Sequence, residues 1–335
     1  IIMRLREKLV DLGAGPMPKQ QAYIDAAVEK NNPYNEPHEQ RLDWLPDDIT
    51  LDPDANTLYY VGCTSSYRRK EMAVAAARVM NAAGVPFTIF QEEEVCCGSP
   101  VLRTGDVKTF QTFLNQNLDA IEEHGIETVV FSCAGCYDTF KVDYPLYRDY
   151  DFKVLHTVEL FDQLLEQGKL KLTKEVPLTV TYHDPCHLGR NAEKYPEWDG
   201  DEVQIMPLVS INVPPKPKRT VKFGIYDAPR NILKKIPGLK LNEMERIMEY
   251  SYCCGAGAGV KSAFPDFALK TAQSRIEEAE DTGAVMLTSA CPFCSTNLQD
   301  AIEESDSRLK FYDISELLLM GLDLMPLPNS TTEGN

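Results

Sequence analysis

No apolar run in this chain approaches the roughly 18 residues that a membrane-crossing helix requires. Its N-terminus also lacks the charged-then-apolar layout of a secretory leader. The chain is therefore expected in the cytoplasm, peripheral at most to a membrane through a partner subunit. Basic charge is short as well: 34 Lys and Arg stand against 51 Asp and Glu, a formal net charge of -17. A field of that sign repels phosphate backbones and excludes nucleic acid as a partner. Compositional bias is absent too, since 43% hydrophobic and 25% charged residues are ordinary for a globular protein, and 335 residues supply about two domains. The first residue is Ile1 and not Met, so a trimmed or processed piece of a longer protein is expected. Cysteine, finally, is missing from residues 1–62 and from residues 295–335.

All ten cysteines lie between those flanks, in two copies of one pattern. Cys63, Cys96, Cys97, Cys133 and Cys136 read C-x32-CC-x35-CxxC, and Cys186, Cys253, Cys254, Cys291 and Cys294 read C-x66-CC-x36-CxxC. The gaps agree within one residue except the first, 66 against 32, an excess of 34 that marks an insertion. Secondary-structure signals repeat with the cysteines. Apolar runs enter the first Cys of each copy, Leu58 to Val61 and Leu178 to Tyr182. Helical periods follow over Glu71–Ala83 and Ala228–Ile236, each ending near a Gly, as helix stop chemistry favours. A second extended run is expected to lead into Cys96-Cys97-Gly98 and Cys253-Cys254-Gly255, followed by long amphipathic helices over Val107–His124 and Phe267–Thr282. The CxxC pairs come off third strands starting at Thr128 and Ala284. Val154–Leu160 then matches Phe311–Leu317, with Glu159 opposite Glu316.

This alternation defines an α/β fold of two pseudo-symmetric, Rossmann-like parallel-sheet domains from an internal duplication. The expected division is an N-terminal extension or linker (1–56), a first domain (57–172), a second domain (173–325) with an insertion at about 191–222, and a flexible tail (326–335). Ligands of such sheets gather at the carboxyl ends of the strands, where all ten thiols fall. Buried free cysteines would be inert hydrophobes, but ten confined to a duplicated pattern argue against that. Disulfides fit poorly, because adjacent cysteines can hardly bond each other and an α/β half needs no staple. Zinc would take four thiolates and leave a fifth without a task. Adjacent thiols that diverge suit different irons of one cluster, so an iron-sulfur centre leads.

The repeated C-x(n)-CCG-x(n)-CxxC pattern resembles the CCG-domain family over about residues 57–325. That family includes catalytic subunits of heterodisulfide reductase and iron-sulfur subunits of glycolate, lactate and glycerol-3-phosphate oxidising complexes. The resemblance implies two noncubane 4Fe-4S clusters, the first on Cys63, Cys96, Cys97, Cys133 and Cys136, the second on Cys186, Cys253, Cys254, Cys291 and Cys294. It implies a thiol-disulfide oxidoreductase subunit of B type or D type, acting on a small-molecule or protein disulfide such as a heterodisulfide. Its partners would be a ferredoxin-type or flavin-containing electron-donor subunit and a membrane cytochrome subunit. The alternative is an electron-relay subunit of a flavin-dependent hydroxy-acid or glycerol-3-phosphate oxidising complex, and a third reading is a zinc-stabilised scaffold.

Three histidines are candidate proton donors, because imidazole transfers protons near neutrality. His183 and His187 flank Cys186 in a His-Asp-Pro-Cys-His run, and His156 stands where the second copy has Asp313. One of the first two could instead only hydrogen-bond a cluster sulfide. Gly255-Ala-Gly-Ala-Gly259 lacks the Lys-Ser/Thr of a phosphate loop and is expected to let the backbone approach a cluster. The insertion, with Trp198 and five prolines, is expected as a surface loop that a partner could grip.

Overall fold

The computed structural model of the chain describes residues 2–194, 196–206 and 209–328. Of the tail expected at 326–335, residues 329–335 lie outside the described residues. Two helices, α1 (Ile2–Asp11) and α2 (Pro18–Lys30), precede a 3-10 turn at His38–Leu42. The first half then runs β1 (Thr57–Tyr60), α3 (Cys63–Tyr67), α4 (Lys70–Ala82), α5 (Ser99–Thr104), α6 (Val107–Glu123), β2 (Thr128–Phe131), α7 (Ala134–Asp138), β3 (Lys153–His156) and α8 (Thr157–Glu166). The second begins with β4 (Thr179–Tyr182), a hairpin of β5 (Asp201–Met206) and β6 (Val209–Val213), α9 (Asp227–Lys235) and β7 (Lys240–Leu241). It ends with α10 (Val260–Ala263), α11 (Pro265–Glu280), β8 (Met286–Ser289), α12 (Pro292–Glu304), β9 (Lys310–Asp313) and α13 (Ile314–Gly321).

Each half carries one parallel sheet, ordered β1-β2-β3 and β7-β4-β8-β9. The strands are short and apolar, and Val129, Val130, Phe131, Val180, Tyr182 and Leu287 are all buried. Helices on a parallel sheet cover such strands on both faces, and each fully buried large side chain contributes about 1.5–3 kcal/mol. The apolar stripe Phe110, Phe113, Leu114, Leu118 and Ile121 buries one side of α6, while Asp106 caps its start by accepting from Thr109 N at 3.0 Å. The duplication is visible in the caps as well. His156 N donates to Glu159 at 2.9 Å and Asp313 N donates to Glu316 at 2.8 Å, so α8 and α13 start with the same reciprocal box at matching positions.

The expected second strand of each half is only partly formed. In the first half Thr88 makes a single bridge to Leu58, and in the second β7 has two residues. The chain peels away from the sheet there, carrying each Cys-Cys-Gly over the strand ends. The N-terminal segment is more than the linker expected of it: Ile24, Ala27, Asn32, Arg41 and Trp44 are buried against the body. The insertion forms the β5–β6 hairpin, exposed along nearly its whole length. Its base is tied down, since Glu193 accepts from Thr220 N at 2.9 Å and Arg219 donates to the Asn191 and Glu193 carbonyls.

The halves meet with two-fold logic: α8 packs on α9 and α13 packs on α4, equivalent elements exchanged. Residues two places after each CxxC reach across as well. Asp138 bonds His187, and Thr296 accepts from Arg69 at 3.2 Å.

Candidate metal centre

The strand-end geometry gathers the thiols. Cys63 opens α3 directly after β1, Cys133 and Cys136 follow β2, and Cys291 and Cys294 follow β8. Each Sγ lies within hydrogen-bonding reach of the next along one continuous path. The path runs Cys63, Cys96, Cys97, Cys136, Cys133 in the first half, crosses to Cys291, and continues Cys294, Cys254, Cys253, Cys186. Read from either end, the same motif positions occur in the same order, so the pseudo-two-fold passes between Cys133 and Cys291. All ten are free, and all but Cys186 and Cys253 are buried.

Such crowding perturbs the thiols strongly. Hydrogen bonding from Cys136 holds Cys97 down at about 6, and bonds from Cys186 and Cys133 pull Cys253 and Cys291 down. The neighbours move in the opposite direction: Cys63, Cys136, Cys186 and Cys294 are pushed up by thiol partners and burial. Ten mutually touching sulfurs with so few other partners form a soft, cation-demanding donor set. Backbone approach supports it. Gly98 N and Gly255 N each donate to the Cys two residues before, at 3.4 and 3.3 Å, and a Cβ on Gly62 (φ +75°) would stand 3.1 Å from Cys136 Sγ. These residues fit iron-sulfur ligation, with five sulfur donors in each half and N–H groups aimed at sulfur.

A cavity of about 200 Å³ opens between the halves, lined by nine of the ten cysteines. Cys253 is the tenth. Tyr23, Tyr34 and Pro33 of the N-terminal segment, Arg103 and Phe293 complete its wall.

His187 lines this cavity and hydrogen-bonds through Nδ1 to Asp138 of the other half at 2.5 Å. Asp138 also accepts from Arg103 Nη2 at 2.9 Å. His183 is buried behind the second set, with a ring nitrogen within 4.8 Å of Cys254 and Cys294 Sγ. Arg275 Nε donates to His183 Nδ1 at 3.1 Å. A guanidinium can only donate, so the imidazole hydrogen sits on Nε2, which has no partner. Burial pushes His183 down to about 3. His156 is placed differently. Its Nδ1 accepts from Val158 N as the cap of α8, burial pushes it down to about 4, and it is not among the described residues lining the cavity.

The Gly255–Gly259 run departs from expectation. Its residues 256–259 do line the cavity, but glycine is demanded at its ends by protein packing. A Cβ on Gly255 (φ +87°) would fall 2.5 Å from Ala268 O, and one on Gly259 (φ +75°) 2.8 Å from Gln20 and Tyr23. Sequence reading also missed Arg41, Glu94 and Asp138. Arg41 Nη1 bonds Glu94 at 2.9 Å and Nη2 reaches Cys63 Sγ at 3.5 Å. Each partner is far away in sequence, and no spacing signals it.

Two copies of the cysteine-rich CCG domain match this chain, at residues 57–141 and 218–299. That defines a duplicated cysteine-rich α/β protein. The chain is 38% identical over 325 residues to the D-type subunit of the dihydromethanophenazine:CoB--CoM heterodisulfide reductase of Methanosarcina mazei, covering 96% of this chain and 72% of that one. It is 31% identical over 273 residues to the B-type subunit of the fumarate reductase (CoM/CoB) of Methanothermobacter marburgensis, covering 81% of this chain and 47% of that one. It is 29% identical over 343 residues to the EtfAB:quinone oxidoreductase of Syntrophomonas wolfei, covering 96% and 43%. The chain belongs to the CCG-domain family that contains the D-type subunits of heterodisulfide reductase and related iron-sulfur oxidoreductases. It is an iron-sulfur oxidoreductase chain, and relatives are named as subunits of larger enzymes. Among the described residues no helix is long and apolar enough to cross a membrane.

Proposed function

We propose that this chain is the disulfide-handling subunit of a heterodisulfide reductase-like complex, holding two noncubane 4Fe-4S clusters, one per five-cysteine set. The observation that carries this reading is the unbroken ten-thiol path through Cys133 and Cys291 along the wall of one cavity. Reducing an S–S bond takes two electrons, and a pair of equivalent centres facing a shared space suits that demand better than a single one. When bound, the clusters would supply electrons one at a time. The protein's own part is to bind the disulfide between the halves, exclude water with Tyr23, Tyr34 and Phe293, and deliver protons from the His187 edge. Asp138 accepts the Nδ1 hydrogen bond, which fixes the ring and leaves Nε2 free to face the cavity. His183 is suited to steadying the sulfurs of the second set through Nε2–H. Electrons would come from a ferredoxin-type or flavin-containing partner.

Separate Cys97→Ser and Cys254→Ser variants test this. Each is expected to lose the cluster of its own half and to stop reducing disulfide. Parental disulfide reduction in a variant that has lost one cluster would overturn the reading. A relay role in a flavin-dependent complex is then the alternative, which the likeness to the EtfAB:quinone oxidoreductase favours.

A further inference from the structure

The two thiol sets differ in burial. All five thiols of the first set are buried, whereas Cys186 and Cys253 of the second are partly open to solvent. Reduction adds negative charge, which a dry site disfavours and an exposed one tolerates, so burial alone would make the first cluster the harder to reduce. Two one-electron centres that serve one two-electron step must both be reducible at the same ambient potential.

A single residue offsets that difference. Arg41 comes from the N-terminal segment outside the duplication, and its side chain is 1% exposed. Its Nη2 donates to Cys63 Sγ at 3.5 Å and to Asn31 O at 3.2 Å, while Nη1 donates to Glu94 Oε1 at 2.9 Å. Glu94 also accepts from Val61 N and Gly62 N at 3.1 and 2.8 Å. All these partners of Glu94 are donors, so the carboxyl is held as the anion. The ion pair therefore turns its positive end toward the sulfur. In the second half the nearby cation, Arg190, donates to the Glu249 and Ser251 carbonyls instead.

We propose that Arg41 is a redox-tuning residue that raises the reduction potential of the buried first cluster toward that of the more exposed second. The inference rests on the two-cluster reading above. A cation hydrogen-bonded to a thiolate ligand stabilises the reduced cluster more than the oxidised one. Arg41 does not touch the substrate cavity, so its action is on the electrons alone.

The test uses the full chain, purified anaerobically, with iron content measured first and each cluster's midpoint then followed by spectroscopically monitored potentiometry with dye mediators. R41M is expected to lower one midpoint only. At the potential where the parent's first cluster is half reduced, its reduced-to-oxidised ratio should fall about tenfold, a one-electron shift of about 59 mV. R41K should recover most of it. E94Q keeps an acceptor for the Val61 and Gly62 N–H groups but removes the anion, and should move the same midpoint in the opposite direction. A purely structural role would not produce shifts of opposite sign. Unchanged midpoints at parental iron content would overturn the proposal. Should R41M fail to load iron, E94Q decides, and no upward shift there overturns it equally. A parent chain that holds one cluster or none would instead sink the two-cluster reading.

Discussion

Asp138 is the anchor between the halves, and replacing it by Ala is predicted to cost about 3 kcal/mol. Its side chain is 2% exposed and accepts from Arg103 at 2.9 Å and from His187 at 2.5 Å. Charge-assisted hydrogen bonds contribute about 1.5–3 kcal/mol each, and removing one partner of a buried pair costs about 3–5 kcal/mol. Arg103 is 15% exposed and keeps Asp143, which places the loss near the lower end. That is on the order of a hundredfold in the unfolding equilibrium. Asp162 is the control: it also bridges the halves, to Asn231 and Lys235, but Lys235 is 37% exposed and screened by water. Its Ala variant should lose about 1 kcal/mol or less. D138N should fall between the two, since the amide still accepts from Arg103. Anaerobic urea unfolding followed by far-ultraviolet circular dichroism gives the comparison. Equal losses in D138A and D162A, or a loss in D138A below about 1 kcal/mol, would refute the assignment of Asp138 as the buried bridge.

Gly62→Ala should lower iron retention in the first half, because φ is +75° and the new Cβ meets Cys136 Sγ at 3.1 Å, whereas Gly135→Ala, with 3.7 Å to Cys133 Sγ, should load normally; iron per chain distinguishes them. Deleting residues 199–215 with a short Gly-Ser closure, keeping the Glu193–Thr220 base, should leave iron content and unfolding midpoint near parental, since loop length costs only about 0.6 kcal/mol per doubling. Loss of the clusters would place the hairpin in the core. Burial raises Asp313 to about 7, above its unfolded value near 3.9, so the folded chain binds the extra proton and loses stability as pH rises from about 4 through 7. D313N removes that slope, and its unfolding midpoint should gain on the parent between pH 5 and 8; a constant gap would contradict the sign.

The sheets were legible where an apolar run enters a cysteine, as at Thr57–Tyr60, Thr128–Phe131 and Thr179–Tyr182, because buried parallel strands are continuous apolar runs. The strands before each Cys-Cys-Gly are shorter than their sequences suggest. Those sequences are extended, but the backbone leaves the sheet after Thr88 and Leu241 to cover the strand ends. Duplication and strand-end placement together gave the facing of the two thiol sets, yet not their order, since spacing does not say that Cys133 meets Cys291. Arg41 was invisible for another reason. It stands in a polar stretch without periodicity, and Glu94, its partner, is 53 residues away. The same holds for Asp138 and His187, which meet only once the halves pack.

Metal analysis of the full chain purified without oxygen bears most directly on the central claim, that ten thiols in one path hold two iron-sulfur centres. About eight irons with matching acid-labile sulfide, in a brown protein whose absorbance bleaches on reduction, is the predicted result. Stoichiometric zinc in a colourless protein without iron would contradict it.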